Sequence, residues 1–247
     1  MVNDLTPMAV LALDTSTEQM SIAVQRGAQL WSWEGPGGAQ SSAHLIPAIE
    51  GLMAQAGLAY ADLACIAFGQ GPGSFTGLRT ACSVAQGLGF AAGVPLLPVD
   101  SLMATAQAAR QAHADQIDEP LRVLALLDAR MDEVYAAPFS YMPANHGQGV
   151  WHADAEAVLC KPEALAAAFT QPLQALCGNA FAAYGERLPW PELPRWTALP
   201  TAQAMLALVP TLLAQGLAVP AEAAMPRYIR NKVAQTTAER EALKRSA

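Results

Sequence analysis

Asp14-Thr15-Ser16-Thr17 closes one apolar run, and Gly69-Gln70-Gly71-Pro72-Gly73-Ser74-Phe75-Thr76-Gly77-Leu78-Arg79 joins another to a helical pattern. Both are assemblies of the kind that hold phosphate. A carboxylate with hydroxyls at a strand end can set itself and backbone amides beside a nucleotide phosphate and its metal. Glycines ahead of a helix let N–H groups converge where the helix dipole favours an anion. Gly71 and Gly73 flank Pro72, whose fixed φ stiffens the turn while the glycines take conformations closed to other residues. Ser74 and Thr76 add hydroxyls as caps or ligands. Each motif also has a purely structural reading: Asp14 to Thr17 as an Asx/ST turn that needs no ligand, and the glycine loop as a tight strand-to-helix connection. The loop matches neither G-x-G-x-x-G nor G-x-x-x-x-G-K-[ST]. Asp128-Ala129-Arg130-Met131-Asp132 repeats the strand-end aspartate later in the chain. There Asp128 and Arg130 offer either a second cleft-facing pair or an ion pair across a lobe boundary.

Other chemistries find less support. His44, His113, His146 and His152 form no H-x-x-x-H and no Cys/His cluster, which argues against a dedicated metal site. G-x-S-x-G is absent, and no histidine is selected by spacing to activate Ser74, so hydrolysis by a nucleophilic serine has no motif behind it. Cys65, Cys82, Cys160 and Cys177 fall singly in apolar patterns, which reads as buried, reduced thiols.

The elements that must position these residues follow from periodicity. Met8 to Leu13 is a buried strand ending at Asp14; Met20 to Val24 and Gln29 to Trp33 return as two more, turned at Arg26-Gly27, giving a three-stranded meander. Leu45, Ile49, Leu52, Met53 and Ala56 recur at helical spacing up to Gly57, with Pro47 placed in or near the first turn. Ala64 to Phe68 is the strand before the glycine loop, and a helix runs from Leu78 to about Ala92 with Gly77, Ala81, Ala85 and Gly89 as a small-residue stripe. Leu96 to Asp100 is the next strand, with Asp100 or Ser101 capping a helix to about Ala114. The pattern then repeats. Val123 to Asp128 followed by Glu133 to Phe139 mirrors Val10 to Asp14 followed by Met20 to Val24, predicting two related lobes. Helices at Pro162 to Phe169 and Ala202 to Gln215, a strand near Leu176, and a Pro/Trp-rich connection from Leu188 to Pro200 complete the second half. The expected division is 1–103 for one lobe, 104–216 for the other, and 217–247 as a C-terminal segment with a basic tail.

The 247 residues carry a net charge of −7, which disfavours a stand-alone nucleic-acid binder. The basic concentration is terminal, in Arg227, Arg230, Lys232, Arg240, Lys244 and Arg245. Although 53% of residues are hydrophobic, no run reaches the roughly 18 needed to span a bilayer. Met1 to Pro7 has no basic region ahead of the short apolar run, so the expected location is the cytoplasm, away from membranes.

Taken together, Leu11-Ala-Leu-Asp-Thr-Ser-Thr17, the loop from Gly69 to Arg79, Asp128-Ala-Arg-Met-Asp-Glu-Val-Tyr135 and Pro226-Arg-Tyr-Ile-Arg230 resemble the bacterial TsaB (YeaZ) family, in order and nearly end to end. That resemblance implies an α/β chain of the actin/hexokinase/Hsp70-like fold with two ribonuclease-H-like lobes. It further implies a non-catalytic scaffold subunit of the complex that makes threonylcarbamoyladenosine beside the anticodon of tRNAs reading A-starting codons. In that complex TsaD is the catalytic subunit, TsaE the ATPase, and tRNA is met through the assembly. No cofactor of its own is expected, and an adenine nucleotide only in the assembled complex. Asp14, Thr15, Ser16, Thr17, Gly71, Gly73, Ser74, Asp128 and Arg130 would then line a degenerate phosphate cleft. The expected association surface, with TsaD or with a second copy in a homodimer, lies on two helices at Leu45, Ile49, Leu52, Met53, Ala81, Val84, Ala85 and Leu88. One departure stands out: many members place a His before a Ser or Thr at the start of the first helix, where this chain has Ser41-Ser42. Two alternatives are a small-molecule kinase of the same fold, weakened by Ser16 where such kinases favour glycine, and a peptidase of the M22 type, under which the superfamily has been filed.

Overall fold

The computed structural model describes residues 8–113, 120–143 and 149–230. The first half opens with β1 (Ala9–Asp14), β2 (Gln19–Arg26) and β3 (Gln29–Pro36), the expected antiparallel meander, followed by α1 (Ser41–Ala56). β4 (Cys65–Gly71), α2 (Phe75–Ala92), β5 (Leu96–Asp100) and α3 (Ser101–Ala112) come next. Gly57 and Gly93, at φ 63° and 70°, stop α1 and α2 in the left-handed conformation that a side chain disfavours. Pro47 lies deeper in α1 than expected, because the helix begins at Ser41. Pro47 and Ala43, the residue four back, are both exposed, so the missing backbone bond faces water. The Asp100 carboxylate caps α3, accepting from the Leu102 and Met103 N–H groups at 2.8 and 3.0 Å.

The second half supplies β6 (Leu121–Arg130), β7 (Glu133–Met142), β8 (Val150–Ala153), β9 (Val158–Cys160), α4 (Leu165–Ala168), β10 (Ala175–Gly178), α5 (Phe181–Tyr184), β11 (Arg195–Thr197) and α6 (Ala202–Ala214). The connection from Leu188 to Pro200, expected as loop, thus contains a short strand.

The predicted duplication is present in the topology. The first sheet runs β3-β2-β1-β4-β5 and the second β8-β7-β6-β10-β11, with β9 also paired to β7. In each, the central strand has an antiparallel neighbour that follows it at once and a parallel neighbour that arrives later. This is the two-lobed, actin/hexokinase/Hsp70-like arrangement.

Packing joins the lobes. α1 and α2 cover one face of the first sheet through Leu45, Ile49, Ala81 and Ala85. The short helices α4 and α5 cover the far face of the second through Leu165, Ala180 and Tyr184. Between the sheets lies one continuous core to which Val10, Ala67 and Val99 contribute from the first and Val123, Ala137 and Cys177 from the second, filled by α3 and α6. The helices are exchanged: α3 also packs on β6 and β10, while α6 packs on β1 and β2. The Ala202 N–H at the start of α6 donates to the buried Ser21 hydroxyl on β2 at 2.9 Å. A boundary at residue 103 therefore falls inside α3, which serves both lobes.

This packing corrects the expected association surface. Leu45, Ile49, Leu52, Met53, Ala81 and Ala85 are buried within the monomer, and only Val84 and Leu88 of that group are partly exposed. The small-residue stripe of α2 faces its own sheet because the helix sits too close for larger side chains. A Cβ on Gly77 would lie 1.8 Å from the Thr15 carbonyl oxygen. The apolar residues those helices leave in water are Ile46 and Phe90, the latter 81% exposed.

Candidate interlobe cleft

Asp14 ends β1 and Asp128 stands near the end of β6, and a cleft of about 410 Å³ opens beside them between the lobes. Asp128 and Arg130 line it, together with Ser16, Thr17, Gly73 and Ser74. Asp14, Thr15 and Gly71 do not.

Asp14 is the sharpest departure from expectation. Its carboxylate is fully buried: Oδ1 accepts from the Ser16 N–H at 2.8 Å and hydroxyl at 2.7 Å, while Oδ2 has no hydrogen-bond partner among the described residues. The side chain lies over Gly69, where a Cβ would come within 1.8 Å of Oδ2. Burial pushes its pKa from 3.8 up to about 6, opposed by the bonds from Ser16 and by the Ser101 hydroxyl at the start of α3. A carboxylate so placed presents no oxygen to the cleft.

The glycine loop is likewise occupied by the chain itself. The Thr15 hydroxyl donates to the Gly77 carbonyl at 2.6 Å, and the Ser74 N–H donates to the Ser16 carbonyl at 2.7 Å. Ser74 is the cap of α2, its hydroxyl accepting from the Gly77 N–H at 3.5 Å. Gly73 abuts Ser16, and Gly71 lies under the Arg227 carbonyl. The glycines permit backbone to meet backbone, and the Ser74 and Gly77 N–H groups have internal partners. Thr17 closes its own turn, its hydroxyl donating to the Gln19 carbonyl at 3.1 Å.

On the opposite wall the Asp128 carboxylate accepts from the Arg130 N–H at 2.8 Å and from the Tyr184 hydroxyl at 3.0 Å, and pairs with the Arg130 guanidinium at 3.0 Å. That ion pair forms within one hairpin of the second lobe, not across the boundary. The lobes are joined instead by Asn179, whose amide nitrogen donates to both Glu18 carboxylate oxygens at 3.3 Å and whose oxygen accepts from the Asp128 N–H at 2.8 Å.

Asn179, Glu18 and Tyr184 were missed from sequence. The signal for Asn179 was present in the duplication: it follows the end of β10, the counterpart of β4, as the glycine loop follows β4. Arg227, Tyr228 and Arg230 also line the cleft. The Arg79 guanidinium sits 3.8 Å over the Phe75 ring, and its Nε donates to the Tyr228 hydroxyl at 3.0 Å. Arg227 pairs with Asp100 at 3.1 Å and Arg230 with Glu133 at 2.8 Å, so two of the six terminal cations are engaged within the chain. Lys232, Arg240, Lys244 and Arg245 lie outside the described residues.

Of the four cysteines, Cys65, Cys82 and Cys177 are buried and Cys160 is half-buried, all as free thiols. Burial pushes the Cys65 thiol up to about 11. Among the described residues no helix is long and apolar enough to cross a membrane.

Residues 37–237 match the family described as TsaD, tRNA N6-adenosine threonylcarbamoyltransferase. The chain is 31% identical over 236 residues to the tRNA threonylcarbamoyladenosine biosynthesis protein TsaB of Escherichia coli, covering 92% of this chain and 96% of that one. It is 32% identical to TsaB of Haemophilus influenzae, at 92% and 95% coverage. The solved structure of YeaZ from Pseudomonas aeruginosa superposes with a TM-score of 0.78 at 34% identity, covering 90% of this chain and 99% of the other. Similarity that covers nine-tenths or more of both partners shows that this chain belongs to the TsaB (YeaZ) family, inside the broader group that takes its description from the TsaD transferase.

Proposed function

We propose that this chain is a non-catalytic scaffold subunit in the biosynthesis of threonylcarbamoyladenosine on tRNA, working in the cytoplasm with a TsaD catalytic subunit and a TsaE ATPase. The family membership supports the pathway. The observation that carries the scaffold role is the sealed Asp14 carboxylate beside a glycine loop filled by Thr15 and Ser16. A kinase of this fold would need that carboxylate and those amides turned toward a nucleotide. In this reading the protein alone holds no nucleotide, adenine nucleotide is met only in the assembled complex, and tRNA is bound through that complex.

The association surface, for TsaD and for a second copy in the isolated protein, is the outward side of α1 and α2, where Ile46 and Phe90 are exposed. Covering the exposed Phe90 ring with a partner would remove apolar area from water, which favours association.

Reconstitution tests the reading. Modification of a tRNA transcript by TsaD and TsaE is expected to depend on this chain, and this chain alone is expected to give none. Calorimetric titration of the isolated protein with ATP separates the alternatives: micromolar binding would favour the kinase reading over the scaffold. A casein digest with a chelator control addresses the peptidase reading.

A further inference from the structure

The segment that leaves α6 ties the two lobes together across the mouth of the cleft. It starts on the first lobe, where Val219 and Leu96 exchange backbone hydrogen bonds at 2.8 Å in both directions and the Ala224 carbonyl accepts from the Gln86 amide at 2.9 Å. The Gln70 amide donates to the Met225 carbonyl at 3.1 Å, the Arg227 N–H returns a bond to the Gln70 carbonyl at 2.8 Å, and the Arg227 guanidinium reaches Asp100. Three residues on, Arg230 is in the second lobe. Its guanidinium pairs with Glu133 at 2.8 Å and donates to the Ala129 carbonyl at 3.0 Å.

What Arg230 grips is itself unusual. Arg130, Met131 and Asp132 stand at φ 60°, 55° and 65°, three successive non-glycine residues in the left-handed region. Each is a disfavoured conformation that persists only where its surroundings over-determine it. Arg230 holds both flanks of this hairpin, at Ala129 and Glu133, and Arg187 pairs with Asp132 at its tip. Asp128 and Arg130, on the same hairpin, line the cleft.

We propose that residues 225–230 are a latch. The Arg227–Asp100 and Arg230–Glu133 pairs hold the lobes at one angle and keep the β6–β7 hairpin in its left-handed form; release of Arg230 opens the cleft and lets the hairpin relax. The two ends differ in a way that makes Arg230 the releasing end. On the first lobe the latch is anchored by backbone hydrogen bonds and by Tyr228 against Phe75, ring centroids 5.1 Å apart. On the second, among the described residues, its polar grip is one guanidinium, only 14% exposed and therefore weakly screened while it stays in place. Access to the cleft is then conditional on displacement of the chain's own C-terminal segment.

Hydrogen-exchange mass spectrometry and paired spin labels test this on the full chain. Labels at Gln55 and Ala182, exposed positions on α1 and α5, report the interlobe distance in a Cys160→Ser background. Arg230→Ala is expected to speed exchange of the amides at 129–133 at least tenfold and to broaden the distance distribution, with the interiors of β1 and β6 unchanged. Glu133→Gln, which keeps the size of the side chain, is expected to move both readouts the same way by a smaller amount. Unchanged exchange with an unchanged distance, or a uniform rise over both lobes as ordinary destabilisation gives, would overturn the latch. Should Arg230→Ala fail to fold, Glu133→Gln alone decides between the same results.

Discussion

Asp14 ends β1 and Asp128 stands near the end of β6, and each accepts the backbone N–H of the residue two places on at 2.8 Å, but Asp14 shares its sheet face with Val10 and Ala12 of the interlobe core and Asp128 with Leu124 and Leu126 of the outer one. The same local turn thus occurs twice, on opposite faces of the two sheets and not at equivalent positions, and its surroundings divide the roles. Asp14 is sealed over Gly69, whereas Asp128 lines the cleft with its second oxygen on Arg130.

The first consequence is a pH dependence. With the folded-state pKa of Asp14 raised from 3.8 to about 6, the folded protein holds this proton more tightly than the unfolded chain. The stabilisation from Asp14 is therefore fully present below about pH 4, is lost as pH rises through about 6, and amounts to about 3 kcal/mol. Asp14→Asn removes the titration. The stability difference between the natural chain and Asp14→Asn, from urea unfolding, should fall by that order between pH 4 and 7; a difference that stays level contradicts the sealed carboxyl.

Two glycines of α2 should respond oppositely to the same substitution. Gly77→Ala sets a methyl against the Thr15 backbone, which has no soft side chain to yield, and is expected to cost about 3 kcal/mol or more. Gly87, exposed and with open space around its Cβ position, should gain about 0.5–1 kcal/mol as Ala through helix propensity. Thermal unfolding of both variants settles the contrast.

The exchange of helices between lobes can be probed at Ser21. Ser21→Ala leaves the buried Ala202 N–H without its acceptor and should cost about 1–3 kcal/mol while leaving the fold intact. A loss within experimental error would mean that the start of α6 contributes nothing to holding the first lobe.

For association, the buried and exposed sides of α2 make separable predictions. Ala85→Arg places a charge in the core and should unfold the chain, so it reports on stability rather than pairing. Phe90→Asp should fold normally and weaken pairing with TsaD at least tenfold, about 1.4 kcal/mol, by calorimetry. Unchanged affinity would move the surface off α2.

What the sequence determined by itself was everything that chain neighbours decide. The three-stranded meander, the stop at Gly57, the Asp100 cap and the repeated strand-Asp-turn unit depend on side-chain alternation, a left-handed glycine and local hydrogen bonds, all readable within a few residues. Tertiary structure alone decided what fills the glycine loop and which side of α2 faces inward. A small residue announces that something approaches closely without naming it. The answer for Gly77 was Thr15, 62 positions earlier. Likewise Arg227 and Arg230 are, in the sequence, only part of a terminal basic concentration; folding brings Asp100, 127 positions away, and Glu133 against them. Ion pairing depends on distance in space, and a linear pattern carries that distance only where secondary structure sets it.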